Sequence, residues 1–232
     1  LLVLIGQNKM YGQCLPAVPC ATGSINDYSC INLGNSSDLE ANGKLLPFPG
    51  TASTQPQKIV VASYITFDDD YEFAPGTEII MLPGALLDIY SDVRFIGQVT
   101  IKGCGGTWFG IRVRSNGTLS MKNSFMLNAC EGIMLNSNSK AEITANTFID
   151  NKKCIQAEGA VTLLGEGIAH NMFDQQTNSF PGCDPLSIPT AITLTNVPQI
   201  TIGDVAQSGA PNEFFNYTYG IDAKNSNVDV IN

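Results

Sequence analysis

The chain has 232 residues, 44% of them hydrophobic and only 14% charged, with 22 Gly, 12 Pro and 7 Cys. Ordinary apolar content disfavours intrinsic disorder, and the scarcity of charged residues disfavours a coiled coil or helix bundle. A net charge of −9 offers no basic stripe for nucleic acid or anionic lipid, and no stretch approaches the ~20 apolar residues that span a bilayer. Twenty Asn among many Gly and Ser point to a turn-rich, β-rich chain in one large domain.

In chain order, residues 1–13 (LLVLIGQNKMYGQ) open on the apolar run Leu1–Ile5. The run reads as the remnant of a secretory signal peptide or as a retained apolar strand, and either reading implies secretion. Residues 14–57 follow as an N-terminal cap. Cys14, Cys20 and Cys30 fall in a loop-like stretch, with His170 the only histidine of the chain. Zinc needs paired short Cys and His spacings, which are missing here. Disulfides in an oxidising compartment fit better, and these three are the candidate participants. An odd count of seven leaves at least one thiol without a partner inside the chain. Asp68-Asp69-Asp70 reads as a solvated turn ahead of the repeats. Calcium would suit its oxygen ligands, but the spacing of a calcium loop is absent and no metal or cofactor is expected.

From residue 58 to 232 the chain repeats. An Asn-x-Phe triplet recurs at Asn123, Asn146, Asn171 and Asn212, in steps of 23, 25 and 41. A second anchor, a small residue before Ile, recurs at Ile111, Ile133, Ile155, Ile192 and Ile221, with first steps of 22. The long step holds an insertion, QQTNSFPGCDPLSIPT, rich in Pro, Gly and Ser. Inside each repeat the period is two: Ile111 and Val113 alternate with Arg112 and Arg114, and Asn116-Gly117 makes a turn. At ~22–25 residues, three short strands and three turns fit one coil of a parallel β-helix, an all-β solenoid. Stacking places Ile on Ile inside the coils. It also predicts an internal stack of Phe125, Phe148 and Phe173, an amide ladder of Asn123, Asn146 and Asn171, and stacked buried thiols at Cys130 and Cys154.

The segment GCGGTWFGIRVRSNGTLSMKNSFMLNACEGIMLNSNSKAEITANTFIDN resembles the right-handed parallel β-helix repeats of the pectin lyase-like superfamily. The chain is closest in pattern to secreted or surface proteins of Bacteroidota exported by the type IX system, where PGTEIIMLPGALLDI-like openings precede Asn-rich coils. The resemblance covers about Thr66 to Asn232. It implies a β-helix that continues past residue 232, since the pattern stops in mid-repeat.

The superfamily includes polysaccharide lyases and hydrolases, but their catalytic clusters are absent from these repeats, so no catalytic residue is assigned. Arg112, Arg114 and Lys102 point outward on the alternation and could grip acidic sugars. Trp108 could stack on a sugar ring or fill the core. His170 stands alone, which suits a turn better than catalysis. The expected function is a secreted or cell-surface structural or adhesive protein that binds glycans through a lateral face. A polysaccharide lyase or hydrolase is one alternative. A filament subunit or type IX secretion cargo, with a neighbouring copy or the secretion machinery as partner, is the other.

Overall fold

The computed structural model describes residues 28–46, 55–177, 179–203 and 211–231. The first elements are β1 (Ser29–Asn35) and the short helix α1 (Ser36–Ala41). The first coil holds β2 (Lys58–Phe67) and β3 (Tyr71–Phe73), and the second holds β4 (Glu78–Met81), β5 (Leu86–Ile89) and β6 (Asp92–Ile96). Next come β7 (Thr100–Gly103), β8 (Gly110–Val113) and β9 (Thr118–Lys122). The fourth coil is β10 (Phe125–Leu127), β11 (Glu131–Leu135) and β12 (Lys140–Thr144). The fifth is β13 (Thr147–Ile149), β14 (Lys153–Glu158) and β15 (Thr162–Ala169). The sixth is β16 (Met172–Asp174), β17 (Thr190–Thr195) and β18 (Ile200–Ile202). The last is β19 (Glu213–Phe215), β20 (Tyr219–Lys224) and β21 (Val228–Val230).

Every strand pairs in parallel with its equivalents in the coils above and below, so the chain is a parallel β-helix. Three faces result. Face 1 runs from the first half of β2 through β4, β7, β10, β13 and β16 to β19. Face 2 runs from the second half of β2 through β5, β8, β11, β14 and β17 to β20. Face 3 is the separate sheet from β3 to β21. One coil cannot bury its own apolar side chains, but stacked coils bury a continuous column. On face 2 the column reads Ile65, Leu87, Ile111, Ile133, Ile155, Ile192 and Ile221 in register. Ile111, Ile133 and Ile155 are fully buried, as their spacing predicts.

Two expected ladders are shifted by one residue in their first rung. Phe148, Phe173 and Phe214 stack inside at 5.0 and 5.1 Å between ring centres. Phe125 is not with them: Met126 pairs with Phe148, and Phe125 is 39% exposed. The amide ladder likewise runs Ser124, Asn146, Asn171, Asn212. Each backbone N–H in it donates to the next Asn Oδ1, at 3.0, 3.0 and 2.9 Å. Asn123 sits one place earlier, at the corner where Ala145 and His170 also adopt left-handed backbone. Asn tolerates that conformation better than most residues, so the first repeat puts its Asn at the turn and leaves Ser124 in the amide slot. Cys130 and Cys154 do not stack either. Gly132, not Cys130, lies level with Cys154, because Glu131 pairs with Lys153 and Ile133 with Ile155.

The irregular steps have local causes. Between Ala141–Leu163 and Ile143–Ile168 the register slips by three residues, and Gly165 and Gly167 turn the extra backbone. Gly165 takes a φ of 51° there, a left-handed backbone that favours Gly, and an added Cβ would also have to push aside the Glu142 carboxylate at 2.1 Å. At the other end, β1 pairs with both halves of β2 and covers its edge, while Leu39 and Leu45 join the core. The acidic run lies inside the first coil, not ahead of it, at the β2–β3 corner. Asp68 accepts from Asn35 Nδ2, Ser36 Oγ, Ser37 Oγ and the Ser37 N–H. Burial acts to raise the Asp68 pKa, but these bonds outweigh it and hold the carboxyl below its ordinary value.

Candidate functional site

Side chains that point away from the core on face 2 also form a column: Thr66, Asp88, Arg112, Met134, Gln156, Thr193 and Asp222. Asp88 faces outward, yet its side chain is 0% exposed. Arg112 covers it from the next rung, with Nε to Oδ1 at 3.0 Å and Nη2 to Oδ2 at 3.1 Å. Arg114 adds Nε to Oδ1 at 2.8 Å and Nη2 to Oδ2 at 3.0 Å, and the Tyr64 hydroxyl donates to Oδ2. Burial pushes the Asp88 pKa upward, but the bonds from Arg112, Arg114 and Tyr64 overcome it and hold the carboxyl below its ordinary value. Hydrogen bonding to Asp88 in turn raises both arginines.

The sequence places Arg112 and Arg114 on one outward surface, and the structure brings them onto one carboxylate. Two guanidinium groups and one carboxylate leave one net positive charge. Each guanidinium has five N–H groups in a planar fork, and two of them engage Asp88. The arginine side chains remain 26% and 31% exposed. The Arg114 guanidinium stands 5.7 Å from the ring centre of Tyr90, itself 49% exposed.

The other two candidates lie elsewhere. Lys102 belongs to face 1, where its Nζ pairs with Glu78 at 2.6 Å. Trp108 is fully buried and donates its Nε1–H to the Leu127 carbonyl at 2.8 Å. Its ring fills the core and presents no face to a ligand. Its neighbour Phe109 is the exposed ring of that corner.

Below Arg112 the same column opens into a cavity of about 300 Å³, lined by Glu131, Met134, Gln156, Glu158, Thr193 and Thr195. Gln156 Nε2 and Thr193 Oγ1, on adjacent rungs, are buried and have no hydrogen-bond partner among the described residues. Unmet donors and hydroxyls of this kind cost free energy unless a partner completes them. The sequence reading missed this part of the site, although the 22-residue step that leads from Arg112 reaches Met134 and then Gln156.

The insertion borders face 2, since it joins β16 to β17. Cys183 within it is disulfide-bonded to Cys130 at the β10–β11 corner. Pro181 and Asp184 carbonyls accept from Thr107 Oγ1 and Lys152 Nζ, so the loop is held across three coils. Cys30 and Cys104 are each disulfide-bonded as well, while Cys14 and Cys20 lie outside the described residues. Cys154 is the free thiol among the described residues. It is fully buried, 2.9 Å from the Tyr217 hydroxyl, and burial pushes its pKa up to about 12.

The arrangement combines a cationic fork, an exposed aromatic ring and a thioether along one face, with unmet amide and hydroxyl groups buried among the side chains of its lower rungs. That set can hold a carboxylate at one end and hydroxyl-bearing rings along the rest. No family model, curated protein or solved structure matches the chain.

Proposed function

We propose that the protein is a secreted or cell-surface β-helix with a structural or adhesive role, and that face 2 is its glycan-binding surface. The observation that carries this reading is the outward column from Asp88 to Thr193, with a positive end at Arg112 and Arg114 and unmet polar groups at Gln156 and Thr193. A sugar carboxylate fits the forked guanidinium groups. Tyr90 and Met134 offer apolar surface to sugar rings. Glu131 and Glu158 accept from ring hydroxyls, and they disfavour further anionic units there. The ligand is therefore a glycan with an acidic unit at the arginine end and neutral units beyond it. Disulfides at Cys30, Cys104 and Cys130–Cys183 support export to an oxidising compartment. The narrower kinship with type IX-exported surface proteins is part of this proposal and rests on the sequence pattern.

The test is a binding and turnover panel of the full chain against acidic and neutral oligosaccharides, with and without calcium. The expected result is binding of carboxylated chains without cleavage, weakened roughly tenfold or more by Arg112→Ala or Arg114→Ala, the range of a charge-assisted hydrogen bond. Cleavage abolished by either substitution would replace this reading with a lyase. Absence of binding across the panel would remove face 2 as a glycan surface.

A further inference from the structure

The outward side of face 1 changes character along its length. Its column reads Cys30, Val60, Ile80, Lys102, Leu127 and Ile149 in register. Val60 and Ile80 point away from the core and are nonetheless 0% exposed, clustered with Tyr28, Cys104 and Leu82. Leu127 and Ile149, the next two rungs past Lys102, are only half-buried. Full cover over this face therefore runs from the level of Cys30 to β7, where Cys104 follows Lys102 by two residues, and stops there. The Tyr28 ring lies over β2 and β4 on this outward side. Its hydroxyl donates to Glu78, and Lys58 Nζ stands 5.3 Å from its ring centre. The chain thus enters β1 from across face 1.

The cysteines identify the cover. Of the seven, Cys130 bonds Cys183 and Cys154 is a free thiol, while Cys30 and Cys104 are each disulfide-bonded. Those two are not bonded to each other. The ladder from Cys30 on β1 passes through β2 and β4 before it reaches β7. Three rungs at ~4.8 Å separate the two by roughly 14 Å, about twice the ~7 Å beyond which two Cα atoms cannot be bridged. The sulfurs left inside the chain are those of Cys14 and Cys20. Six residues apart, these reach about 20 Å when extended, which spans the roughly 14 Å between the two levels. The sequence between them, Leu15-Pro16-Ala17-Val18-Pro19, suits that task. Proline biases the residue before it towards extended backbone, and Leu15 and Val18 supply apolar side chains for Val60 and Ile80.

We propose that Cys14 and Cys20 are the disulfide partners of Cys30 and Cys104, one each, and that the segment between them is a covalent strap over the outward side of face 1. A solenoid needs a cap on its terminal coil. Here the cap is stitched at two levels, so the first three coils cannot part without breaking a bridge. Each bridge forms as two thiols pass two electrons and two protons to a disulfide oxidant through thiolate exchange. This inference is independent of glycan binding on face 2.

The test is a non-reducing chymotryptic digest of the full chain, alkylated under denaturing acid conditions that prevent exchange and read by mass spectrometry. Cleavage at Tyr11, Tyr28, Phe95 and Trp108 leaves Cys14 and Cys20 on one peptide and Cys30 and Cys104 on two others. The expected product is a single species of three peptides joined by two disulfides. Cys104→Ser should then free one thiol, at Cys14 or Cys20 and not at Cys30, and the position labelled reads out the connectivity. In the same variant, hydrogen exchange in β2 and β4 should accelerate about tenfold or more as the cover opens locally. A Cys30–Cys104 peptide pair, a Cys14–Cys20 bridge, alkylated Cys14 or Cys20 in the wild type, or disulfide-linked dimers would overturn the proposal. Unchanged exchange in Cys104→Ser would overturn the strap as the cover of Val60 and Ile80.

Discussion

Arg112 occupies the rung directly below Asp88, and its guanidinium roofs a carboxylate that would otherwise face solvent. A parallel stack makes this arrangement almost automatic, because residues 24 apart in the chain become neighbours across one hydrogen-bonded ladder. The pair serves stability and, under the proposed function, recognition as well. Asp88 holds the forks flat against the face, and the forks keep Asp88 ionised.

Asp88→Asn should cost about 2–3 kcal/mol at neutral pH, below the 3–5 kcal/mol of a fully buried broken pair because both arginines are partly solvated. The Asp88 pKa is lowered in the fold. Its contribution is therefore complete above the unfolded carboxyl pKa and is lost as pH falls through the lower folded value. Urea melts of wild type and Asp88→Asn should differ by a constant amount from about pH 5 to 8 and converge below about pH 4.

The phenylalanine stack gives a contrast within one sheet. Phe173→Ala removes the middle ring of three and should cost about 3–5 kcal/mol, the usual range for a buried aromatic. Phe125→Ala, at an outward position, should cost less than about 1 kcal/mol. Equal losses in thermal or chemical melts would contradict the register described for β10.

Most of the fold was legible in the sequence because stacking converts a 22-residue spacing into direct contact. The Ile111–Ile133–Ile155 column needed nothing more. The first-rung error also had a visible signal: the Asn123–Asn146 step is 23, while Ile111–Ile133 is 22. The coil step there is 22 throughout, so the first triplet's Asn falls one place early, at the left-handed corner that Ala145 occupies in the next coil. The site was legible only in part. Alternation placed Arg112 and Arg114 outward, but it could not show that Asp88 takes hydrogen bonds from both. Nor could it show that Trp108 turns into the core at an irregular Gly-rich corner. The tether from Cys130 to Cys183 joins loops 53 residues apart, and no local pattern encodes such a pairing.

The amide ladder should be as costly to break as the core. Asn146 is nearly fully buried. It accepts from the Ser124 N–H at 3.0 Å and donates to the Met121 carbonyl at 2.8 Å. Asn146→Ala strands both backbone groups and should destabilise by about 2–4 kcal/mol, at 1–3 kcal/mol for each buried group left unpaired. Hydrogen exchange at the Ser124 amide should accelerate in the variant.

Cys154 should be inert in the folded protein. Burial raises its pKa to about 12, so almost no thiolate exists at pH 8. Iodoacetamide followed by peptide mass spectrometry should label it only after denaturation. Labelling of native protein within minutes would mean that the coil around Tyr217 opens readily.

Face 2 as a glycan surface is the central claim, and its most direct measurement follows the side-chain amide of Gln156 by NMR. During titration with an oligosaccharide carrying one terminal carboxylate, the Gln156 NH₂ pair should shift as its unmet donor gains a partner. The Arg112 and Arg114 Nε resonances should move with the same saturation curve. Arg114→Ala should weaken that curve roughly tenfold while leaving the fold intact. Binding that leaves Gln156 and both arginines unperturbed, or no binding at millimolar ligand, would contradict the account.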